Sequence, residues 1–346
     1  MLRKSFSLIL LLGLSFALCT FLVGCSCREA KIGVLETSGD GDSSRIVLFD
    51  SNLQRTNEIV IDDEIGMGSL FYDPVIAEHV FYAVPQGNAT AKDAEKVLSI
   101  NLDGYQTSEY KIEKPAMNSV AVSTQYVFTC NTLNGVSSVN RCNKATGDVR
   151  SVDEENVYIS HIVVGGDRLY AFASQLDVDR SWIDEYDLDL NLSSRTDMTE
   201  FGSGVYRSCV DGSKLYFTTM VSADGAGGGC LICFDLASRS LSKMEVSENP
   251  LGVKELDGKL YVSHGKLVEG SSSAALSVVD LSSGDTNQFS FDHSVDQFVV
   301  SDEGLYALSG RGVFRYSLGD MSLMGEVVLE PVGSDYRFVS GIFLAE

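Results

Sequence analysis

Residues 251–291 read LGVKELDGKLYVSHGKLVEGSSSAALSVVDLSSGDTNQFSF, and this stretch predicts the fold. Short runs of apolar and β-branched residues alternate with clusters of Gly, Asp and Ser, which is the pattern of β-strands joined by tight turns. The runs are 251–256, 259–262, 275–280 and 286–291. The unit therefore has four predicted strands, named A to D in chain order, with a Gly/Ser-rich loop between B and C.

The apolar–aromatic step at the start of strand B recurs along the chain. Its aromatic residues, spaced by 47, 42, 46, 45 and 45 positions, are Phe81, Phe128, Tyr170, Tyr216, Tyr261 and Tyr306. The end of strand C recurs seven times, as a polar residue that opens a turn: Asp50, Asn101, Asn143, Asp187, Asp235, Asp280 and Ser317. Four strands per repeat and seven repeats predict an all-β, seven-bladed β-propeller. Two stacked β-sandwiches are the alternative.

The first repeat predicts how the ring closes. Residues 32–35, IGVL, already read as a strand B, so the first copy lacks its strand A. The stretch 336–344, YRFVSGIFL, follows the seventh copy and has the composition of a strand. We expect it to supply the missing strand, which would close the ring and remove two exposed sheet edges. The predicted propeller domain is 32–346.

The N-terminal residues have the composition of a targeting segment. Arg3 and Lys4 precede an apolar stretch over 5–22, and Leu22-Val23-Gly24-Cys25 follows it. This motif resembles the lipobox of bacterial lipoproteins, which implies a cleaved signal peptide over 1–24, lipidation (palmitate) of Cys25 and a tether over 25–31. An ordinary signal peptide or a single membrane anchor is the alternative. The resemblance implies a protein held at the bacterial cell envelope by its lipid, facing outside the cytoplasm.

Charge narrows the choice of partners. The 346 residues carry 26 Lys and Arg against 48 Asp and Glu, a formal charge of −22. Removing residues 1–24 takes away only Arg3 and Lys4, and the mature charge becomes −24. Such an acidic chain is unsuited to nucleic acid or to a polybasic contact with anionic lipid. Its 44 % hydrophobic content excludes a disordered acidic polymer.

Short strand and turn motifs carry a second resemblance. Arg168-Leu-Tyr170, Lys214-Leu-Tyr216 and Lys259-Leu-Tyr261, together with the turns 100–104, 143–147 and 280–284, are similar to those of quinoprotein-like and YWTD-like propellers. The likeness covers most of 32–344 and concerns the fold. Quinoprotein dehydrogenases carry a docking Trp in each repeat, whereas this chain has only Trp182. No quinone and no other cofactor is therefore predicted.

The candidate binding site is the face that carries the D–A and B–C connections, because loops on a rigid scaffold commonly bind ligands. Residues expected where the central strands begin are Tyr158, His161, Tyr206, Arg207, His293, Asp296, Tyr336 and Arg337. Two Tyr-Arg pairs recur there, and they could receive an acidic group. The B–C loops 85–95, 174–182, 220–229 and 264–274 differ in length and sequence, as partner-binding rims often do.

The cysteines leave several possibilities. Cys130 and Cys142 flank a predicted B–C hairpin and could form a cross-strand disulfide. Cys230 and Cys233 form a CxxC, but positions i and i+3 of a strand point to opposite faces, so no metal site is predicted. Buried thiols, or a bond from Cys209 to one of them, are the remaining readings. Cys27 lies in the predicted tether.

No catalytic motif accompanies these features. The chain lacks GxSxG, P-loop and HExxH patterns, and its four His have no ligand spacing. The sequence therefore favours a non-enzymatic protein-binding scaffold with an envelope protein as partner. A small-ligand binding or sensing protein that uses the Tyr/Arg mouth is the first alternative, and an unrecognised hydrolase or lyase is the second.

Overall fold

The described residues form seven four-stranded antiparallel sheets. The computed structural model describes residues 29–38, 43–61, 66–69, 71–85, 95–223, 228–266, 271–330 and 337–345, without the side chains of Ser271 and Arg337. The first strands of successive sheets contact each other around a central channel. The predicted seven-bladed β-propeller is thereby confirmed, and the two stacked sandwiches are excluded.

The first three blades, each given from the channel outward, have the following strands. Blade one contains β28 (Arg337–Leu344), β1 (Ile32–Ser38), β2 (Ser44–Phe49) and β3 (Arg55–Ile61). Blade two contains β4 (Val75–Ala77), β5 (Val80–Ala83), β6 (Lys96–Asn101) and β7 (Thr107–Lys111). Blade three contains β8 (Met117–Val122), β9 (Tyr126–Leu133), β10 (Val136–Asn143) and β11 (Val149–Glu155).

The remaining four blades follow the same order. Blade four contains β12 (Val157–Gly165), β13 (Arg168–Gln175), β14 (Ser181–Asp187) and β15 (Leu192–Asp197). Blade five contains β16 (Ser208–Asp211), β17 (Lys214–Thr218), β18 (Leu231–Asp235) and β19 (Leu241–Met244). Blade six contains β20 (Pro250–Leu256), β21 (Lys259–Lys266), β22 (Ser271–Asp280) and β23 (Thr286–Ser290). Blade seven contains β24 (Gln297–Ser301), β25 (Gly304–Ser309), β26 (Gly312–Tyr316) and β27 (Leu323–Val328).

Alternating strand directions divide the connections between two faces. The D–A and B–C connections lie on one face, which we call the loop face. The A–B and C–D turns lie on the other, the turn face. The described residues contain a 3-10 turn, Thr199–Phe201, but no helix long and apolar enough to cross a membrane.

The ring closes as predicted. β28 pairs antiparallel with β1, from Ile32 opposite Leu344 to Ser38 opposite Arg337. The carboxylate of Glu36 on β1 is fully buried, 2.5 Å from Arg45 Nε and 2.6 Å from Arg311 Nη2 of blade seven. The C-terminal strand therefore lies innermost in blade one, and buried ion pairs link that blade to its neighbour.

Seven apolar clusters fill the seven interfaces between neighbouring blades. Each blade is buried on both faces, because successive strand residues point to opposite sides. On β1, Val34 packs toward blade seven and Leu35 toward blade two. Only the outermost strands, such as β7 with its sequence TSEYK, are largely exposed.

The structure shifts one aromatic position of the predicted repeat. Phe128 and Tyr170 each face the following blade. In blade two that place is taken by Tyr82, whereas Phe81 faces the preceding blade. The repeat position assigned to Phe81 was therefore wrong by one residue and belongs to Tyr82. A shift of one residue along a strand exchanges its two faces, so Phe81 faces the other neighbouring blade.

The polar residue that ends each strand C orders the turn after it. Asp280 Oδ1 accepts the backbone N–H groups of Ser282 at 2.9 Å and Ser283 at 3.1 Å. The chain then reaches a left-handed residue, Gly284, with φ 80°. The same side-chain-to-backbone bonds follow Asn101 and Asn143, which explains why Asp and Asn recur there.

Replacing Gly284 with Ala tests this turn geometry. Gly284→Ala is expected to lower the free energy of unfolding by about 1–2 kcal/mol, because a Cβ is strained in the left-handed region. Denaturant titration measures the change. Gly325→Ala on β27 is the matched control, since that backbone is not left-handed and an added Cβ meets nothing within 4 Å. Equal losses in both variants would contradict the assignment.

Candidate functional site

The loop-face end of the channel brings together several of the predicted residues. Tyr158 and His161 lie on β12, and Tyr206 and Arg207 directly precede β16. Asp296 directly precedes β24, and its backbone carbonyl accepts a hydrogen bond from Arg207 Nη1 at 3.2 Å. Blades four, five and seven thus contribute to one site, which we call the channel mouth.

The sequence did not reveal the segment that fills this mouth. Residues 66–69 and 71–74 belong to the connection between blades one and two. The Asp73 carboxylate lies 2.5 Å from Lys254 Nζ of blade six and 3.2 Å from Arg207 Nε of blade five. Asp73 therefore reaches across the channel to two blades that are remote from its own.

Backbone and ring contacts hold the same segment in place. The carbonyl of Met67 accepts hydrogen bonds from Thr37 Oγ1 at 2.7 Å and from Ser340 Oγ at 3.0 Å. The carbonyl of Ser69 accepts one from Gln297 Nε2 at 3.2 Å. A Cβ at Gly341 would lie 2.6 Å from Pro74 Cγ, so the approach of these two chains requires glycine.

Aromatic side chains surround the ion pairs. Phe71 and Tyr72 both pack on Tyr206, with ring centroids 5.7 and 5.6 Å away. Burial raises the pKa of Tyr72, and the nearby Tyr158 raises it further. The mouth is therefore a neutral phenolic rim around one carboxylate and two cations.

The ion pairs dominate the electrostatics of the mouth. Burial alone would raise the pKa of Asp73, but the Lys254 ammonium and the Arg207 guanidinium outweigh it and hold the pKa below its ordinary value. The Arg207 side chain is only 2 % exposed. The sequence predicted that the Arg207 guanidinium could bind an external acidic group, but it already pairs with the Asp73 carboxylate.

His161 is a partly buried, neutral imidazole next to these charges. Its Nδ1 lies 3.0 Å from Ser119 Oγ and its Nε2 2.9 Å from Ser208 Oγ. Burial lowers the pKa of His161 to about 4. A base with so low a pKa is poorly matched to proton transfer at neutral pH, so the contact with Ser208 does not make an activated nucleophile.

Three of the predicted mouth residues lie elsewhere or are only partly described. His293 packs among Phe291, Phe314 and Tyr316 between blades six and seven, with its Nε2 2.5 Å from the Tyr316 hydroxyl. The placement of His293 in the mouth was therefore wrong. Tyr336 lies outside the described residues, as does the side chain of Arg337, whose backbone begins β28.

The cysteines of the described chain are free thiols, which contradicts the predicted Cys130–Cys142 disulfide. Cys130 pairs with Val139 and Cys142 with Val127, because the hairpin turns at Asn134-Gly135. The two thiols are therefore offset along the strands, and burial raises the pKa of Cys130 to about 12. Cys25 and Cys27 lie outside the described residues.

Two signals in the sequence could have identified Asp73 and Lys254. Lys254 interrupts the otherwise apolar run 251–254 of an innermost strand, where a charged residue must face the channel. Asp73-Pro74 stands directly before another innermost strand. Neither residue indicated its partner, because they are separated by four blades in sequence.

Within the described residues no group of three or more His, Cys, Asp or Glu could hold a metal ion.

Asp73→Asn tests whether the ion pairs hold the mouth together. We expect the free energy of unfolding at neutral pH to fall by about 3 kcal/mol, because the buried Arg207 and the partly exposed Lys254 lose their counter-ion. In the native protein the same stabilisation is present above about pH 4 and is lost as the pH falls through the lowered pKa of Asp73. Asp103→Asn on the turn face, whose side chain is 77 % exposed, is the control and should change little.

His161 gives a second, pH-dependent test. The unfolded chain binds a proton near pH 6.5 and the folded chain only near pH 4, so stability should rise with pH between these values, by about 3 kcal/mol. His161→Asn should remove this part of the pH dependence of unfolding. His79→Asn, at an exposed turn position with φ 59°, should keep it. Identical pH profiles for native protein and His161→Asn would refute the neutral imidazole.

Comparison with known proteins supports the fold. No protein-family model and no curated protein sequence matches the chain. A quinoprotein alcohol dehydrogenase-like protein from Bacteroides thetaiotaomicron aligns with TM-score 0.62 and 11 % identity, over 92 % of this chain and 79 % of that one. Dihydro-heme d1 dehydrogenase NirN in complex with DHE aligns with TM-score 0.56 and 12 % identity, over 87 % of this chain and 64 % of that one. Apo AztD from Citrobacter koseri aligns with TM-score 0.52 and 9 % identity, over 91 % of this chain and 98 % of that one.

These similarities show the architecture of the chain but not its function. The chain spans 64 % of the length of NirN, and all three identities are 12 % or lower. One superfold hosts many unrelated functions, so a shared fold at such identities does not carry a function to this chain. The chain is therefore a seven-bladed β-propeller with a quinoprotein-like structural neighbour.

Proposed function

We propose that this β-propeller is a lipid-anchored scaffold that binds another protein at the bacterial cell envelope and performs no chemical step of its own. Cys25 is the proposed site of lipid attachment, after removal of residues 1–24. One observation carries the proposal: the chain's own segment occupies the channel mouth, whereas the loops around it expose apolar side chains. The binding surface is then the rim of the loop face rather than the channel.

Exposed apolar residues follow one another around three successive blades. Leu133, Leu176, Val178 and Val221 belong to the loop-face ends of blades three, four and five, and each is more than a third exposed. Backbone hydrogen bonds connect the first two of these loops through Asn156, which bonds both Gly135 and Leu176. We call these four residues the apolar arc. Exposed apolar residues grouped on one face are typical of protein-binding surfaces.

A cleft opens within the arc, between the loops of blades four and five. It encloses about 120 Å³ and is lined by Gln175, Val178, Arg180, Thr199, Ser203 and Val221. Asp177 and Asp179 alternate with the apolar residues of the same loop and are exposed. The cleft lining is mostly polar: its larger apolar side chains are Val178 and Val221, and Asp179 and Arg180 add charges of both signs. It fits a partner that presents apolar side chains together with polar and charged groups.

The channel mouth weighs against the small-ligand alternative. An acidic ligand would have to displace Asp73 from both Arg207 and Lys254, and a tethered carboxylate competes at high effective concentration. The hydrolase alternative has a hydroxyl–imidazole contact at Ser208 and His161, but the low pKa of His161 disfavours it as a general base. Both alternatives therefore have less support than binding at the rim.

Paired substitutions on the loop face test the proposal. Immobilised native protein should retain a reproducible partner from a detergent extract of the source cells. Leu176→Asp combined with Val178→Asp should weaken that interaction at least about tenfold, which corresponds to about 1.4 kcal/mol. Affinity measured with the purified partner gives the number.

A second pair of exposed apolar residues provides the control. Leu323→Asp combined with Met324→Asp changes the outer strand β27, where both side chains are more than half exposed. This variant should bind like the native protein. If no partner is retained, or if the loop-face variant binds as tightly as the control, the scaffold proposal is wrong.

A further inference from the structure

The first described residues leave the propeller at the turn face. Lys31 N–H donates to the carbonyl of Phe49, the last residue of a strand C. Ala345, which follows the C-terminal strand, donates to the carbonyl of Lys31 at 2.8 Å. Lys31 is thereby fixed beside the C–D turn of blade one, and the preceding chain starts from that side of the ring.

The length of that preceding chain limits how the propeller can sit on a membrane. Six residue steps separate Cys25 from Lys31, which span at most about 20 Å. A path from Lys31 to the loop face must pass two outer strands, about 10 Å, and then rise along the seven-residue β3, about 23 Å. The sum exceeds the reach of the tether, and the direct route through the channel is filled by Asp73 and its neighbours.

We infer that the lipid anchor keeps the loop face, with its apolar arc, turned away from the membrane. This inference rests on the proposed lipid attachment at Cys25 and adds an orientation to it. The partner then approaches from the side opposite the lipid surface. It is a soluble extracytoplasmic protein, or the ectodomain of a membrane protein, that extends beyond the thickness of the propeller.

The charge of the turn face affects how closely it approaches lipid. Its turn residues include two bases, Lys144 and Arg239, and eleven acids: Asp50, Glu78, Asp103, Asp148, Asp167, Asp189, Asp257, Asp285, Asp302, Glu303 and Asp320. Lys31 beside these turns adds a third base, which is paired with Glu29. An anionic bilayer repels such a face over roughly one Debye length, about 8 Å at physiological salt. The lipid chains therefore provide the attachment, and the turn face is held near the surface without adhering to it.

Energy transfer to labelled lipid measures the orientation. The lipidated protein is reconstituted on vesicles of phosphatidylglycerol and phosphatidylcholine that carry an acceptor-labelled lipid. A donor is coupled to an azide-bearing amino acid at Ala237, on the turn face, or at Val178, on the loop face. We expect transfer to be clearly stronger from position 237, and to increase there with salt because repulsion is screened. Equal transfer, or stronger transfer from 178, would overturn the orientation.

Two further variants separate the orientation from the anchor. Cys25→Ala protein should no longer float with the vesicles. If it floats as well as the native protein, lipid attachment at Cys25 is wrong and the orientation fails with it. An insertion of twenty Gly and Ser residues after Cys27 removes the length limit, so the difference between the two donors should shrink. An unchanged difference would show that tether length does not set the orientation.

Discussion

The pairing of β28 with β1 is the constraint on which the rest of the structure depends. It joins residues 299 to 312 positions apart in one sheet, and its register runs from Ile32–Leu344 to Ser38–Arg337. Without β28, blade one would present an open edge to the channel. The apolar clusters on both sides of blade one include residues of β28, Phe343 on one side and Ile342 on the other. Two of the seven interfaces therefore depend directly on ring closure.

The same closure creates the space that Asp73 fills. Seven innermost strands surround a channel. Without Asp73, the buried Arg207 and the partly exposed Lys254 would face each other at its mouth with no counter-ion between them. The carboxylate of Asp73 compensates their repulsion from the opposite side of the ring. Ser69 and Met67 bond the neighbouring blades seven and one, whereas Asp73 bonds blades five and six. The connection between blades one and two therefore ties the ring together across its centre.

A channel closed from within shifts the functional interest to the periphery. Rigid blades position loops that contribute little to the core, and these loops can vary without disturbing the seven interfaces. The apolar arc on three neighbouring blades and the acidic turns on the opposite face give the molecule two chemically different sides. The proposed tether starts from the acidic side, and the proposed partner-binding surface lies on the other.

The sequence by itself determined the repeat, the number of blades and the closing strand, because each depends on local alternation and on turn residues such as Asp280 and Gly284. It misplaced the aromatic residue of blade two and the pairing of Cys130, since both require a register known to a single residue. It found Arg207 but not Asp73 or Lys254, which lie in different blades and meet only when the ring is closed. Strand periodicity is a local property, whereas which charges share a channel is decided by the tertiary structure alone.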